Sequence, residues 1–327
     1  MIEKVENFIS AWQDPDLYVE TQTSGSTGIP KTIRLEKEKM QFSARMTGKF
    51  FNFKPRQKIL LCLSPDSIGG KMLILRAILH EMELVVSDIK RNPMEKIDFQ
   101  LDFAAMVPMQ IQSILRENPE KIELVNQLLI GGAAVSPFLQ KELESFSIHA
   151  FESFGMTETM SHIAIRKLNT AMYHSDREPF QALNGIHFSL HDEKLVIHAP
   201  DLGLPSLQTN DVVELIGDQK FHWKGRSDYA INSGGIKFHP EMIERKLGTV
   251  ISERFFITGE KDEMLGEKIV LVIEAAEEEA LESRIRELLK TRLGVYETPK
   301  KLYFAEKFAE TPSGKVNRLE TMKMLKD

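Results

Sequence analysis

The segment Thr23–Lys31, TSGSTGIPK, gathers groups that hold anions. Gly25 and Gly28 allow backbone conformations closed to other residues, so successive amides can point into one concavity, and Ser24, Ser26 and Thr27 add hydroxyl donors. Such a nest suits a polyphosphate, with Lys31 as a cation at its rim. It is not the Walker pattern: Pro30 precedes Lys31 where that pattern has glycine, and the following run TIRL alternates like a strand, so no helix N-terminus faces the anion. The same composition also makes a plain hydroxyl-rich hairpin loop. A second polar kink, FGMTE from Phe154, sets Thr157 beside Glu158. A carboxylate there suits Mg²⁺ shared with phosphate oxygens, and equally a helix start favoured by the dipole. Asp211, in TNDVV ahead of a strand, is a hydrogen-bond acceptor for a ribose diol or a turn former. Arg226 in GRSD offers a planar fork to the same sugar or to a phosphate, and Gly131 with Gly132 let a flat base lie close to backbone. In the tail, TPSGKVNR puts Lys315 in a polar loop. Brought over a distant site, that lysine would offset charge developing between a carboxylate and an α-phosphate.

The elements that must position these groups alternate. Apolar strands at Lys58–Leu63, Glu83–Val86, Phe103–Val107 and Leu128–Ile130 are separated by helical spacing at Lys71–Leu79 and Met109–Leu115, which predicts an α/β region with parallel pairing. From Lys194 to Trp223 the texture changes to closely spaced strands, LVIHA, VVELI and KFHW, the last two joined by Gly217 and Asp218, an antiparallel β appendix. After GRSD comes a Gly-rich turn, a strand pair around FFITGEKDEMLGEKIVLVIEA and a charged helix near 277–293. The reading is thus a large α/β N-terminal domain with the appendix, residues 1–227, plus a small mobile α+β C-terminal domain, residues 228–327.

Composition bounds the partners. The 327 residues suit about two domains, and 42% hydrophobic with 28% charged residues is ordinary for a folded protein. A net charge of -6 leaves no broad cationic face for a nucleic-acid backbone. The longest apolar runs, Ile59–Leu63 and Ile269–Ile273, fall far short of the roughly 18 residues that a membrane span needs. The amino terminus spaces Ile2, Val5, Phe8 and Trp12 like one helix face and carries acidic residues without a signal-peptide core, so a cytoplasmic location is expected. Cys62, the lone cysteine, sits in ILLCL, where packing is its expected role.

Taken in order, TSGSTGIPK, FGMTET, the aspartate of TNDVV, GRSDYAINSGGIKFHPEMIE and PSGKVNR resemble the signatures of the acyl-adenylate-forming superfamily, which includes acyl-CoA synthetases and firefly luciferase. Within it, GMTETMSHIAIR and INSGGIKFHPEMIE look most like the o-succinylbenzoate-CoA ligase branch of menaquinone biosynthesis. The resemblance implies an ATP-dependent, Mg²⁺-requiring ligase: a small carboxylic acid is adenylated, pyrophosphate leaves, and the thiol of CoA displaces AMP. It implies that Ser24, Gly25, Ser26, Thr27, Gly28 and Lys31 attend the phosphates, that Thr157 contacts the nucleotide phosphate, and that Glu158 holds Mg²⁺. Asp211 and Arg226 would bind ribose. Gly132, Ala133, Ser153 and Phe154 would line the adenine pocket, Phe154 standing where tyrosine is more usual. Asp228 matches the hinge and Lys315 the lysine of adenylation. Ser233 to Lys237 would swing in for thioester formation, Gly234 and Gly235 passing pantetheine.

Two departures accompany the likeness. Only 20 residues precede Thr21, where members usually carry a long N-terminal stretch that walls the acyl pocket, so the front of the AMP-binding domain reads as shortened. Asp66 and Ser67 stand where many relatives have a histidine-containing loop. For an acid with two carboxylates, the one not activated needs a partner, and Lys71, Arg76 and His162 are candidates, Lys71 first. A ligase for another aromatic acid or for a carrier thiol, and a nucleotide- or acyl-binding protein without turnover, are the alternatives.

Overall fold

The alternation of 3.6-residue and two-residue periods becomes, in the computed structural model, a wide sheet flanked by helices and followed by a smaller α+β unit. The structure describes residues 1–23, 31–169, 178–311 and 316–326, with backbone alone for 22, 23 and 31. Helix α1 (Ile2–Gln13) buries Val5 and Phe8, while Ile2, expected on the same face, is 66% exposed because the helix begins there. An antiparallel hairpin follows, β1 (Tyr18–Thr23) and β2 (Lys31–Glu36), and leads into α2 (Lys37–Phe51). The core region runs β3 (Lys58–Leu61), α3 (Ile68–Leu79), β4 (Glu83–Val86), β5 (Leu101–Met106), α4 (Pro108–Glu117), β6 (Val125–Ile130), α5 (Pro137–Leu143) and β7 (His149–Gly155). The pairs β3–β4, β3–β5, β5–β6 and β6–β7 are parallel, as the alternation predicts.

Strands β3, β5 and β6 are covered on both faces, which is why they read as nearly unbroken apolar runs. Ile59 and Leu61, Phe103 and Ala105, and Leu129 face the core under α2 and α3. Leu60 and Cys62, Ala104 and Met106, and Leu128 and Ile130 face the opposite core, shared with α4 and α5. Cys62 is a packing residue: burial pushes its thiol up to about 12, and Sγ approaches the Ala105 carbonyl at 3.5 Å.

The antiparallel part is continuous with this sheet. Strand β8 (His162–Lys167) pairs antiparallel with β7, and β9 (Phe180–Ala182), β10 (His187–His191), β11 (Lys194–Ala199), β12 (Leu204–Ile216) and β13 (Lys220–Arg226) extend it. Among the described residues the order is β10-β11-β12-β13-β9-β8-β7-β6-β5-β3-β4. The expected turn at Gly217 and Asp218 joins β12 to β13, with Ile216 opposite Lys220.

A second sheet carries the tail: β14 (Ile231–Ser233), β15 (Ile236–Phe238), then α6 (Pro240–Leu247), β16 (Phe255–Asp262), β17 (Gly266–Glu274), α7 (Glu279–Arg292), β18 (Lys301–Ala305) and α8 (Arg318–Met324). The expected strand pair is β16–β17, antiparallel from Phe255 opposite Ile273 to Asp262 opposite Gly266. Strand β18 adds to β17 in parallel, a pairing that local pattern does not reveal.

Helix α6 packs on β13 across a narrow gap. Gly225 has φ +151°, and a Cβ there would stand 2.4 Å from Glu241 Oε2. Glu241 Oε2 and His239 Nδ1 are both buried without a partner. Burial is the main cause that pushes the Glu241 carboxyl up to about 7, with Arg318 opposing and Glu244 adding to the shift. Between the ordinary value of 4.5 and about 7 the folded chain therefore keeps a proton that the unfolded chain has released. Stability should be fully present below pH 4.5 and fall, by at most about 3 kcal/mol, as pH rises to 7. Denaturant titrations across this window should show that decline, and Glu241→Gln should flatten it.

Candidate nucleotide and acid site

In a parallel α/β sheet, ligands bind beyond the carboxyl ends of the strands, where loops diverge and backbone groups are unpaired. Strand β6 ends at Ile130 and β7 at Gly155, so Gly131, Gly132 and Ala133 emerge at the same edge as Gly155, Met156, Thr157 and Glu158. Ser153 Oγ donates to the Ile130 carbonyl at 3.2 Å and ties the two strand ends together. Phe154 packs edge-on against Phe221 at 5.0 Å between ring centres. Thr21, near the root of the β1–β2 hairpin, reaches the Asp66 carbonyl in the turn after β3, which leaves the sheet at this edge too. Ser24, Gly25, Ser26, Thr27, Gly28 and Lys315 lie outside the described residues, as does the side chain of Lys31.

The loop that holds Thr157 and Glu158 is strained and pinned. Thr157–Thr159 form one turn of 3₁₀ helix, and Met160 follows at φ +63°, ψ −34°, a conformation costly for any residue with a Cβ. Thr159 is fully buried and holds it: its hydroxyl contacts the Ser161 carbonyl at 2.7 Å and accepts from Met156 N at 3.0 Å. Glu158 is exposed and makes no hydrogen bond or ion pair among the described residues. A lone exposed carboxylate fits a hard cation that takes its other oxygens from phosphate and water.

Asp211 is inside β12 rather than ahead of a strand, 5% exposed, at a bulge between Val212 and Val213. Trp223 Nε1 donates to its Oδ1 at 2.8 Å, and burial raises its pKa. Arg226 lies opposite Asp211 in the ladder, with its fork on Asp228: Nε to Oδ1 at 2.9 Å and Nη2 to Oδ2 at 2.8 Å. That bond raises the Arg226 pKa and lowers that of Asp228. Gly234 and Gly235, both at positive φ, make the exposed turn between β14 and β15.

A chain of contacts links Asp211 to the Gly132 loop. The Trp223 carbonyl accepts from Arg245 Nη2 at 2.7 Å, and Arg245 feels the charges of Arg166 and Glu152. Arg166 and Glu152 form a buried ion pair across β7 and β8, with Nε to Oε2 at 2.7 Å. Glu152 Oε1 then accepts from Val135 N at 2.9 Å, fixing the far end of the Gly131–Ser136 loop. Sequence reading missed this pair; a glutamate and an arginine in strands carry no signal until register sets Glu152 opposite Arg166.

The three candidates for a second carboxylate part company. Lys71 Nζ donates to the Pro65 carbonyl at 3.0 Å and lies 5.5 Å from the Phe8 ring, in a crevice of about 610 Å³ beneath α1. Burial lowers its pKa. Arg76, further along α3, is 2% exposed, and among the described residues its guanidinium makes one hydrogen bond, from Nη2 to Ser161 Oγ at 2.8 Å. Its Nε is buried without a partner, and among the described residues no carboxylate pairs with it. Burial pushes it down to about 9, so it stays charged at neutral pH. His162 is buried beside it, and its pKa is pushed well below 6.5 by burial and then by the Arg76 charge.

A pinned carboxylate loop beside the glycine turn after β6, backed by a parallel sheet and followed by a small α+β unit, is the architecture of an adenylate-binding enzyme. The chain belongs to the AMP-binding enzyme family, whose model matches residues 5–186, and the AMP-binding enzyme C-terminal domain matches residues 253–315. An acyl-CoA synthetase (AMP-forming)/AMP-acid ligase II-like protein from Dyadobacter fermentans is 36% identical, with 98% of this chain and 93% of that one covered at a TM-score of 0.65. The 2-succinylbenzoate–CoA ligase of Salmonella typhimurium is 23% identical over 304 residues; the match takes in 88% of this chain but only 65% of that protein's length. The Bacillus subtilis o-succinylbenzoate CoA synthetase, solved with its acyl-adenylate intermediate, shares the fold at 19% identity and TM-score 0.78, covering 92% of this chain and 68% of that one. Among the described residues no helix is long and apolar enough to cross a membrane.

Arg166→Met should leave Glu152 buried and unpaired, lowering unfolding free energy by about 3–5 kcal/mol. Pairing it with Glu152→Leu should recover much of that loss in denaturant titrations, because the uncompensated charge is gone.

Proposed function

We propose that this protein is an ATP-dependent acid-CoA ligase acting on a dicarboxylic aromatic acid, o-succinylbenzoate in menaquinone biosynthesis being the favoured substrate. One observation carries the substrate class: Arg76 is a charged guanidinium buried in the interior with a single hydrogen bond among the described residues. An interior cation with unused donors costs several kcal/mol unless an anion meets it. A carboxylate that is not itself activated supplies that anion. Arg76 therefore takes this role in preference to Lys71, which is engaged beneath α1.

In the first half-reaction a carboxylate oxygen of the acid bonds to the α-phosphorus of ATP, and the bond to pyrophosphate breaks. In the second, the CoA sulfur bonds to the acyl carbon, AMP leaves, and the thiol proton passes to solvent. Residues 24–28 and Lys31 hold the phosphates, Thr157 bonds the α-phosphate, and the Gly132–Ala133 loop with Ser153 and Phe154 receives adenine. Asp211 and Arg226 hold ribose. Glu158 would hold Mg²⁺, which would supply neutralisation of phosphate charge when bound. The large domain, 1–227, and the small one, 228–327, turn about Asp228; one orientation brings in Lys315 for adenylation and the other the Gly234–Gly235 turn for thioester formation. A cytoplasmic location fits these soluble substrates.

Exchange of labelled pyrophosphate into ATP, dependent on o-succinylbenzoate, separates turnover from mere binding, which produces no exchange. Lys315→Ala should slow adenylation by roughly 10²–10³, as expected for loss of one preorganised donor, while thioester formation from presynthesised acyl-adenylate survives better. Equal loss in both steps by a folded variant would remove that division of labour. Glu158→Ala should raise the Mg²⁺ concentration needed for half-maximal exchange.

A further inference from the structure

His162 belongs to a row of hydrogen bonds whose direction is fixed bond by bond. Thr47 Oγ1, on α2, donates its single proton to the Ser43 carbonyl at 3.1 Å. It can only accept from His162 Nε2, 3.0 Å away, so that nitrogen carries the ring proton. A neutral ring protonated at Nε2 has its lone pair on Nδ1, and Ser161 Oγ, at 3.3 Å, donates there. With its proton committed, Ser161 Oγ accepts from Arg76 Nη2 at 2.8 Å. The row therefore runs Arg76, Ser161, His162, Thr47, Ser43, each group donating to the next. Arg76, His162, Thr47 and Ser43 are all buried and Ser161 is half-buried, so water has little access to the histidine end of the row.

We propose that His162 is a positioning residue for acid selection: anchored by Thr47 and acting through Ser161, it fixes the Arg76 guanidinium so that its unbonded donors meet the second carboxylate. This rests on the ligase reading above. The ring itself does not contact the acid. Its neutrality follows from what surrounds it: α2 presents the uncharged Thr47, and the charge that acts on it from α3 is that of Arg76, which opposes a second positive charge. A neutral acceptor at Nδ1 is what keeps Ser161 turned with its lone pairs toward Arg76. A protonated ring would donate from both nitrogens and break that orientation.

The test compares o-succinylbenzoate with 3-benzoylpropionate, the same acid without its ring carboxylate. In His162→Leu, the kcat/KM preference for the diacid should fall about tenfold, through KM, the equivalent of one lost hydrogen bond. His162→Asn, which returns an amide oxygen near the Nδ1 position, should recover much of it. Thr47→Val should lower the preference in the same direction, and circular dichroism should show all three folded. In the unaltered protein the diacid KM should be level from pH 6 to 8. Equal losses on both acids, absence of recovery with asparagine, or a diacid KM that improves on acidification through the imidazole range would overturn the inference, the last because the ring would then bind the acid as a cation. If the unaltered protein turns over neither acid, the ligase reading itself fails, and that is seen before any variant is made.

Discussion

Glu152 lies in the interior at the strand where the sheet changes from parallel to antiparallel, and a carboxylate there demands a partner. Arg166 on the neighbouring strand supplies it, and the two oxygens divide their work: Oε2 takes the guanidinium and Oε1 takes Val135 N. One buried pair thereby fixes the register of β8 on β7 and the exit of the loop after β6. Arg245, reaching in from α6, senses both charges while bonding to Trp223 O, whose indole in turn holds Asp211. Buried ion pairs contribute little net stability over apolar residues of the same volume. Their value here is geometric, because the groups that must converge on one ligand come from different strands and from the tail.

The acid side of the site follows the opposite rule. Arg76 is buried with most of its donors unused, and the protein holds it there by packing around α3 and by a row of neutral hydroxyl and imidazole groups. A carboxylate neighbour would stabilise the guanidinium but would also satisfy it. Under the proposed function the pairing is left to the acid, which trades stability for selectivity, as in sites that read charge in a low-dielectric interior. The strain at Met160 belongs to the same loop, between Glu158 and Ser161, so the groups proposed to hold the metal and to orient Arg76 share one over-determined turn.

The tail packs on the large sheet through contacts of a different character. Glu241 and His239 each bury an unpartnered atom against Gly225, while Lys237 pairs with Glu193 at the margin. An interface with unsatisfied groups at its centre and an exposed ion pair at its rim is one that can part at modest cost. That property suits a proposed rotation about Asp228, whose carboxylate already clasps Arg226 at the end of β13.

Much of the scaffold was legible in the chain. The strands at Lys58, Glu83 and Leu128 and the helices at Lys71 and Met109 follow from apolar period, because burial on one or both faces imposes that period locally. The family was legible too, since five ordered motifs of glycine, hydroxyl, carboxylate and lysine together restrict which enzymes a chain can resemble. Tertiary structure alone decided the rest: that the antiparallel strands continue the parallel sheet, that β18 joins β17, that Glu152 meets Arg166, and that Arg76 rather than Lys71 is the unpaired interior cation. Each of these depends on register or on which face of a helix meets another element. Those are fixed by contacts between residues far apart in sequence, and no local pattern encodes them.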